Sequence, residues 1–198
     1  MRGFGFGLLA AMALLVAACA DGGGGGDQQQ SSGGTAPPPG QAAGNTLLME
    51  LKTGVVTIEL RPDLAPQHVA RIKQLTSQGF YNGIIFHRVI EGFMAQTGDP
   101  TGTGRGGSEL ADLPAEFTNT PFVRGTLGMA RAASPNSANS QFFITFADAR
   151  FLDGQYTVFG SVTGGMEHVD QITRGEPPAN PDKIISLKIA GNGAGTGS

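Results

Sequence analysis

Residues 86–99 read FHRVIEGFMAQTGD. The stretch draws on two strand candidates, IIFHRVI (84–90) and GFMAQTG (92–98), in which β-branched and aromatic residues favour extended chain and glycine marks the turns. Arg88, Phe93, Met94 and Gln96 stand among these strand-like neighbours with no adjacent serine, cysteine or metal-ligand cluster. Any chemistry carried here therefore has to run on a cation beside apolar side chains.

The surrounding chain continues the strand pattern. Leu47–Lys52, a turn at Thr53-Gly54 and Val55–Leu60 read as a hairpin, with Val56, Ile58 and Leu60 alternating against Thr57 and Glu59. The period then changes. In DLAPQHVARIKQLTSQGF, Val69, Ile72 and Leu75 recur every three residues, Pro66 suits a first turn and Gly79 suits an end, which predicts an amphipathic helix. A second, shorter helix is predicted in MEHVDQIT, with Met166, Val169 and Ile172 on one stripe. GTLGMA, SQFFITF, TVFGSV and KIISLKIA are further strand candidates between glycine-rich turns. Many short strands with two helices predict a mainly β domain closed as an antiparallel barrel.

The ends of the chain read differently. Arg2 is followed by an apolar run, Leu8 to Ala18, which is short for a span of the ~30 Å hydrocarbon core and suits the h-region of a signal peptide over residues 1–18. The only cysteine follows in Val16-Ala17-Ala18-Cys19, which resembles a bacterial lipobox whose cysteine is lipidated. The alternative is an ordinary secretory signal cut after Ala18 or Ala20, giving a soluble periplasmic or secreted protein. A lone cysteine forms no internal disulfide. Ala20, rather than aspartate, follows Cys19, which leans towards the outer membrane for a periplasm-facing lipoprotein. Residues 19–45 are rich in Gly, Gln, Ser and Pro and are expected to be a disordered tether, with a reach of about 25–30 Å if it behaves as a random coil. Residues 191–198 are expected to be a disordered tail, leaving a folded domain at 46–190. With Arg2, Asp21 and Asp27 outside it, that domain carries net −2, and the chain has no basic tract, so nucleic acid is a poor partner.

Several familiar site patterns are absent. His68, His87 and His168 lack metal spacing and read as surface, packing or structural residues. TGTGRGG (101–107) lacks the Lys-Ser/Thr ending of a phosphate loop and reads as a flexible surface loop. Ser134, Ser137 and Ser140 fall in no nucleophile elbow, and nothing fixes Asp148 and Asp153 as a carboxylate pair.

Three blocks in order carry the strongest signal: FHRVIEGFMAQTGDPTGTGRGG, GTLGMARAASPNSANSQFFITF and RFLDGQYTVFG. Together they resemble the cyclophilin family of peptidyl-prolyl cis–trans isomerases, over about residues 47–190. The resemblance implies a closed eight-stranded antiparallel β-barrel capped by two α-helices, with the active groove on its outside. It places Arg88 as the catalytic arginine and Gln96 as the glutamine that orients it. Phe93, Met94, Phe143 and Leu152 match the proline pocket, Ala130 and Ala132 the shelf where an extended peptide docks, and Gln141 a further groove position. No cofactor or metal is implied, and the partners are proline-containing segments of unfolded or flexible proteins, met by a monomer.

The chain departs from the family pattern in places. Phe151 replaces the groove tryptophan and removes an indole donor, so weak cyclosporin binding is expected. Tyr156 stands for a common histidine, and Arg131 for an asparagine between the shelf alanines, where a changed sequence preference is expected. One extra residue enters MARAASPNSANSQ. The rival reading is a non-catalytic module that holds proline peptides as a chaperone or scaffold. The intact pair Arg88 and Gln96 argues for the isomerase.

Overall fold

The structure is a computed structural model that describes residues 44–191. The expected signal peptide, Cys19, the tether up to residue 43 and the tail from 192 lie outside the described residues. The hairpin forms as β1 (Thr46–Leu51) and β2 (Gly54–Leu60), paired in register Leu51↔Gly54, so its two-residue turn is Lys52-Thr53 rather than Thr53-Gly54. Alternation sends Val56, Ile58 and Leu60 into the core and turns Val55 and Glu59 outward.

Helix α1 (Pro66–Ser77) starts on proline, whose missing N–H would be unpaired there anyway. Ala65 supplies no side-chain cap. Instead Glu116, far along the chain, accepts the amides of Gln67 and His68 at 3.1 Å each. The helix ends where Gly79, at φ +70°, lets its own amide reach Thr76 O (3.0 Å) and that of Phe80 reach Leu75 O (3.0 Å). Val69, Ile72 and Leu75 are buried as the three-residue spacing requires, each contributing about 1.5–3 kcal/mol. Helix α2 (Met166–Val169) is shorter than the stripe predicts. Beyond it the amides of Gln171 and Ile172 bond three residues back, so the chain tightens into turns while Ile172 stays buried.

The remaining strands are β3 (Arg88–Ile90), β4 (Met94–Thr97), β5 (Thr126–Met129), β6 (Phe142–Thr145), β7 (Val158–Gly164) and β8 (Ser186–Ile189). All eight form one antiparallel sheet in the order β3-β4-β6-β5-β7-β2-β1-β8. Only the end of IIFHRVI is strand. Its earlier residues bond across the seam between the sheet's two edges as separate bridges, with Phe86 N to Asp182 O at 2.8 Å and Ile184 N to Ile84 O at 2.9 Å. Val89 and Gly175 exchange two more bonds of 2.8 Å. The curled sheet is thus stitched along its seam by bridges rather than by a continuous ladder. Its interior is filled by the larger apolar cluster, which includes Leu47, Met49, Ile58, Phe142, Ile144 and Phe159. Helix α1 packs on β7 and β8, and α2 on β2.

Candidate active site

The two-residue period divides β4 and β6 between two sides. Ala95, Phe142 and Ile144 enter the main core, whereas Met94 and Phe143 join a second apolar cluster with Phe122, Leu152 and Val158. Residues paired across antiparallel strands share a face, so the register builds one row: Arg88↔Gln96, Gln96↔Phe143, Phe143↔Gly128 and Gly128↔Val158. The row joins residues far apart in sequence and puts the cation at one end and the apolar cluster at the other. Gly128 is required by close approach. A Cβ there would stand 2.5 Å from Phe143 Cζ and 2.6 Å from Phe122 Cε1, whose rings stack at 5.7 Å.

A cavity of about 290 Å³ opens over this row. It gathers every groove residue expected from the sequence except Ala132 and Gln141: Arg88, Phe93, Met94, Gln96, Ala130, Arg131, Phe143, Phe151, Leu152 and Tyr156. Met94, Phe143 and Leu152 are buried in its apolar floor and wall, while Phe151 is 65% exposed at the rim, 5.3 Å from the Phe93 ring. Tyr156 sets its ring edge-on to Phe143 at 5.8 Å. Leu152 comes from a single 3₁₀ turn (Arg150–Leu152), fixed by Asp153, which accepts Phe122 N at 2.8 Å and Arg150 Nε at 2.6 Å. Asp153 is therefore a structural anchor and not half of a carboxylate pair.

Arg88 is held differently from the expectation. The side chain of Gln96 donates to Gln141 Oε1 at 2.9 Å, and Gln141 in turn donates to the carbonyls of Gly104 (3.1 Å) and Gly106 (2.8 Å). The Arg88 side chain instead donates through Nε to Glu176 Oε2 at 2.8 Å. A charge-assisted bond to a carboxylate outcompetes a neutral amide. Among the described residues the terminal nitrogens of Arg88 have no hydrogen-bond partner.

Ala132 and Gln141 line a neighbouring hollow of about 510 Å³, together with Gln96, Ala130 and Arg131. The Arg131 guanidinium lies 4.6 Å over the Tyr156 ring and donates to the carbonyls of Gln155, Ala132 and Ala133. Its charge is occupied in clamping the rim. Its main-chain N–H and C=O make no bond to the described residues, whereas Ala130 N is taken by Gln141 O and Ala132 N by Ser137 Oγ.

The loop TGTGRGG beside this hollow is an organised one. Asp99, almost fully buried, accepts the Thr101 hydroxyl and the amides of Thr101, Gly104 and Gly106. Burial alone would raise its pKa, but these hydrogen bonds together outweigh it and hold the carboxyl at about 2. Ser140 is buried and donates to Gly98 O, and Ser137 donates to Ser134 O, so neither is poised as a nucleophile. His68 is buried against Glu116 at 2.6 Å. His87 is buried with no partner on either ring nitrogen, and that burial lowers its pKa. No cluster of metal-ligating side chains occurs among the described residues.

The arrangement sets a guanidinium, its terminal donors unpaired among the described residues, at the rim of a cavity whose floor is formed by buried apolar side chains. Sequence reasoning missed three of its parts. Glu176, Phe122 and Gly128 carry no local motif, and only register and close approach reveal them.

A family model described as cyclophilin type peptidyl-prolyl cis-trans isomerase/CLD matches residues 46–189. A protein of Brucella suis named probable peptidyl-prolyl cis-trans isomerase is 56% identical over 161 residues, covering 73% of this chain and 82% of its own. A solved cyclophilin from Hirschia baltica superposes with a TM-score of 0.70 at 30% identity, covering 76% of this chain and 75% of the other. A cyclophilin-type isomerase from Cryptosporidium parvum, solved in the presence of the dipeptide Ala-Pro, gives a TM-score of 0.69 at 31% identity, covering 74% and 99%.

Proposed function

The chain belongs to the cyclophilin-type peptidyl-prolyl cis–trans isomerases, and from that membership we propose how its groove turns an X–Pro bond: Arg88 stabilises the twisted amide while the apolar slot holds the proline ring. The barrier to rotation is about 20 kcal/mol because the amide is conjugated, although cis and trans X–Pro differ by only about 0.5–1 kcal/mol. No covalent bond needs to form or break. In the twisted state resonance is lost, and the prolyl nitrogen becomes pyramidal with a lone pair that accepts a hydrogen bond. The planar ground state scarcely offers that lone pair. A guanidinium aimed at it binds the transition state better than the substrate, which is the condition for catalysis. Arginine suits the task because it stays protonated and holds its donors in a plane.

The observation that carries this reading is the placement of Arg88 at the rim of the cavity, over its apolar floor, with its terminal nitrogens free of partners among the described residues. The unpaired main-chain groups of Arg131 support docking of an extended peptide along the rim. The Cryptosporidium structure, solved with Ala-Pro, supports proline-containing segments as the ligand class. Acceleration of cis–trans exchange in an Ala-Pro-Phe peptide by the full chain, read by NMR, tests the function. A folded protein that binds the peptide and leaves exchange at the uncatalysed rate would be a holding module instead.

Two finer features follow. The side chain of Phe151 has no N–H to offer, so weak cyclosporin binding is expected. Phe151→Trp, at a position 65% exposed and free to accept a larger ring, is expected to tighten it about twofold to tenfold, the worth of one net hydrogen bond. Calorimetric titration reads this, and unchanged affinity refutes it. The lipobox-like Val16–Cys19 supports export and lipid anchoring, so that the isomerase acts on exported chains. Labelling with radioactive palmitate is expected for the wild type and lost in Cys19→Ser. A wild type that stays unlabelled favours the plain secretory signal.

A further inference from the structure

We propose that Glu176 is a positioning residue for the isomerisation, gripping Arg88 by its Nε so that the terminal guanidinium nitrogens stay turned to the proline slot. The inference rests on the reading of Arg88 as the catalytic cation.

Backbone pairing creates the contact. Val89 and Gly175 exchange two hydrogen bonds of 2.8 Å across the seam, so the residues beside them, Arg88 and Glu176, face each other as a cross-strand pair. Glu176 thereby extends the row that runs through Arg88, Gln96 and Phe143. The turn that carries it is tight. Gly175 adopts φ +148°, and a Cβ there would fall 2.5 Å from Pro178 Cα, so only glycine fits without shifting the loop. The carboxylate also comes from the correct side. Arg88 and Gln96 border both the proline cavity and a second hollow of about 330 Å³, and Glu176 borders only the second. It therefore holds the cation from behind and leaves the slot open.

Two further observations assign this contact to catalysis rather than to stability. Arg88 and Glu176 are 43% and 51% exposed, and pairs so exposed contribute little to folding. Gln96 has its amide nitrogen engaged with Gln141, which leaves Glu176 as the hydrogen-bonding partner of the Arg88 side chain among the described residues. Without it, a long side chain with several rotatable bonds would have to be ordered at the moment of reaction.

The test compares the full chain with Glu176→Ala and Glu176→Gln. Peptide exchange by NMR as a function of peptide concentration separates kcat from KM, thermal unfolding reports stability, and the ¹⁵N–¹H signal of the Arg88 Nε reports the grip. Glu176→Ala is expected to lower kcat about tenfold with KM within about twofold, to leave the unfolding midpoint nearly unchanged, and to move or broaden the Nε signal. Glu176→Gln keeps an oxygen that accepts the Nε–H, and it is expected to recover much of the lost rate. An active wild type whose Glu176→Ala variant keeps full kcat overturns the inference alone. Equal losses in Ala and Gln variants, accompanied by a falling midpoint, also overturn it, because the role is then structural. A wild type that does not accelerate exchange overturns the isomerase mechanism instead.

Discussion

Arg88→Ala is expected to lose about a hundredfold to a thousandfold in kcat/KM for X–Pro exchange, the usual cost of removing one donor aimed at developing charge. The loss follows from what the site lacks as much as from what it holds. The other residues around the slot are apolar side chains, the Tyr156 phenol, the neutral amide of Gln96 and one further cation, Arg131. Gln96 is tied to Gln141, and the Arg131 charge is taken up by three carbonyls and the Tyr156 ring, so neither replaces the missing cation. Arg88→Lys is expected to recover little, because an ammonium lacks the planar fork that keeps Nε on Glu176 while the terminal nitrogens face the substrate. Stability should barely move, since Arg88 is about half exposed and its ion pair is a surface one. Exchange kinetics with a thermal melt check both halves. A folded Arg88→Ala variant within about threefold of wild-type kcat/KM would remove Arg88 from the mechanism.

Phe143→Ala is expected to damage fold and site together. Phe143 is 5% exposed, stacked on Phe122 at 5.7 Å and met edge-on by Tyr156 at 5.8 Å. Truncating a buried phenylalanine costs about 3–5 kcal/mol, since the lost transfer energy is joined by a cavity that neighbours fill only in part. Collapse is hindered here because the partner strand offers Gly128, with no side chain to move in. A domain of this size has only about 5–15 kcal/mol to lose, so the denaturation midpoint should fall sharply. Activity should fall at least about tenfold at temperatures where the variant is still folded, because the proline ring loses the floor it packs on. Phe143→Leu, which keeps most of the volume, is expected to lie between. Denaturant titration reads the first effect, and a change under about 1 kcal/mol would show that the second apolar cluster is not the support of the pocket.

The sequence made the site legible through order, and the fold through period. Alternation located the hairpin, short runs between glycine-rich turns located the other strands, and the three-residue spacing of Val69, Ile72 and Leu75 located α1 with its proline start and glycine end. What escaped was set by tertiary contacts. IIFHRVI has the composition of one strand, yet only Arg88–Ile90 pairs as a ladder, because Ile84 and Phe86 are drawn to the seam by Ile184 and Asp182. MEHVDQIT buries Val169 from the short helix α2 and Ile172 from the turns that follow it. TGTGRGG looks unstructured in one dimension and is gathered around Asp99 in three. Glu176 lies 88 residues from Arg88, in a segment with no motif, so its grip could be seen only once Val89 and Gly175 were paired.

The central claim is that Arg88 binds the twisted amide and not the resting peptide. The most direct measurement is the Kd of an Ala-Pro-Phe peptide for wild type and Arg88→Ala, set beside the exchange rate each supports in the same NMR samples. The expected result is a Kd that changes by no more than about threefold while catalysed exchange drops by two orders of magnitude or more. If peptide affinity and exchange instead fall in parallel, Arg88 contributes uniform binding, and the lone-pair mechanism is wrong.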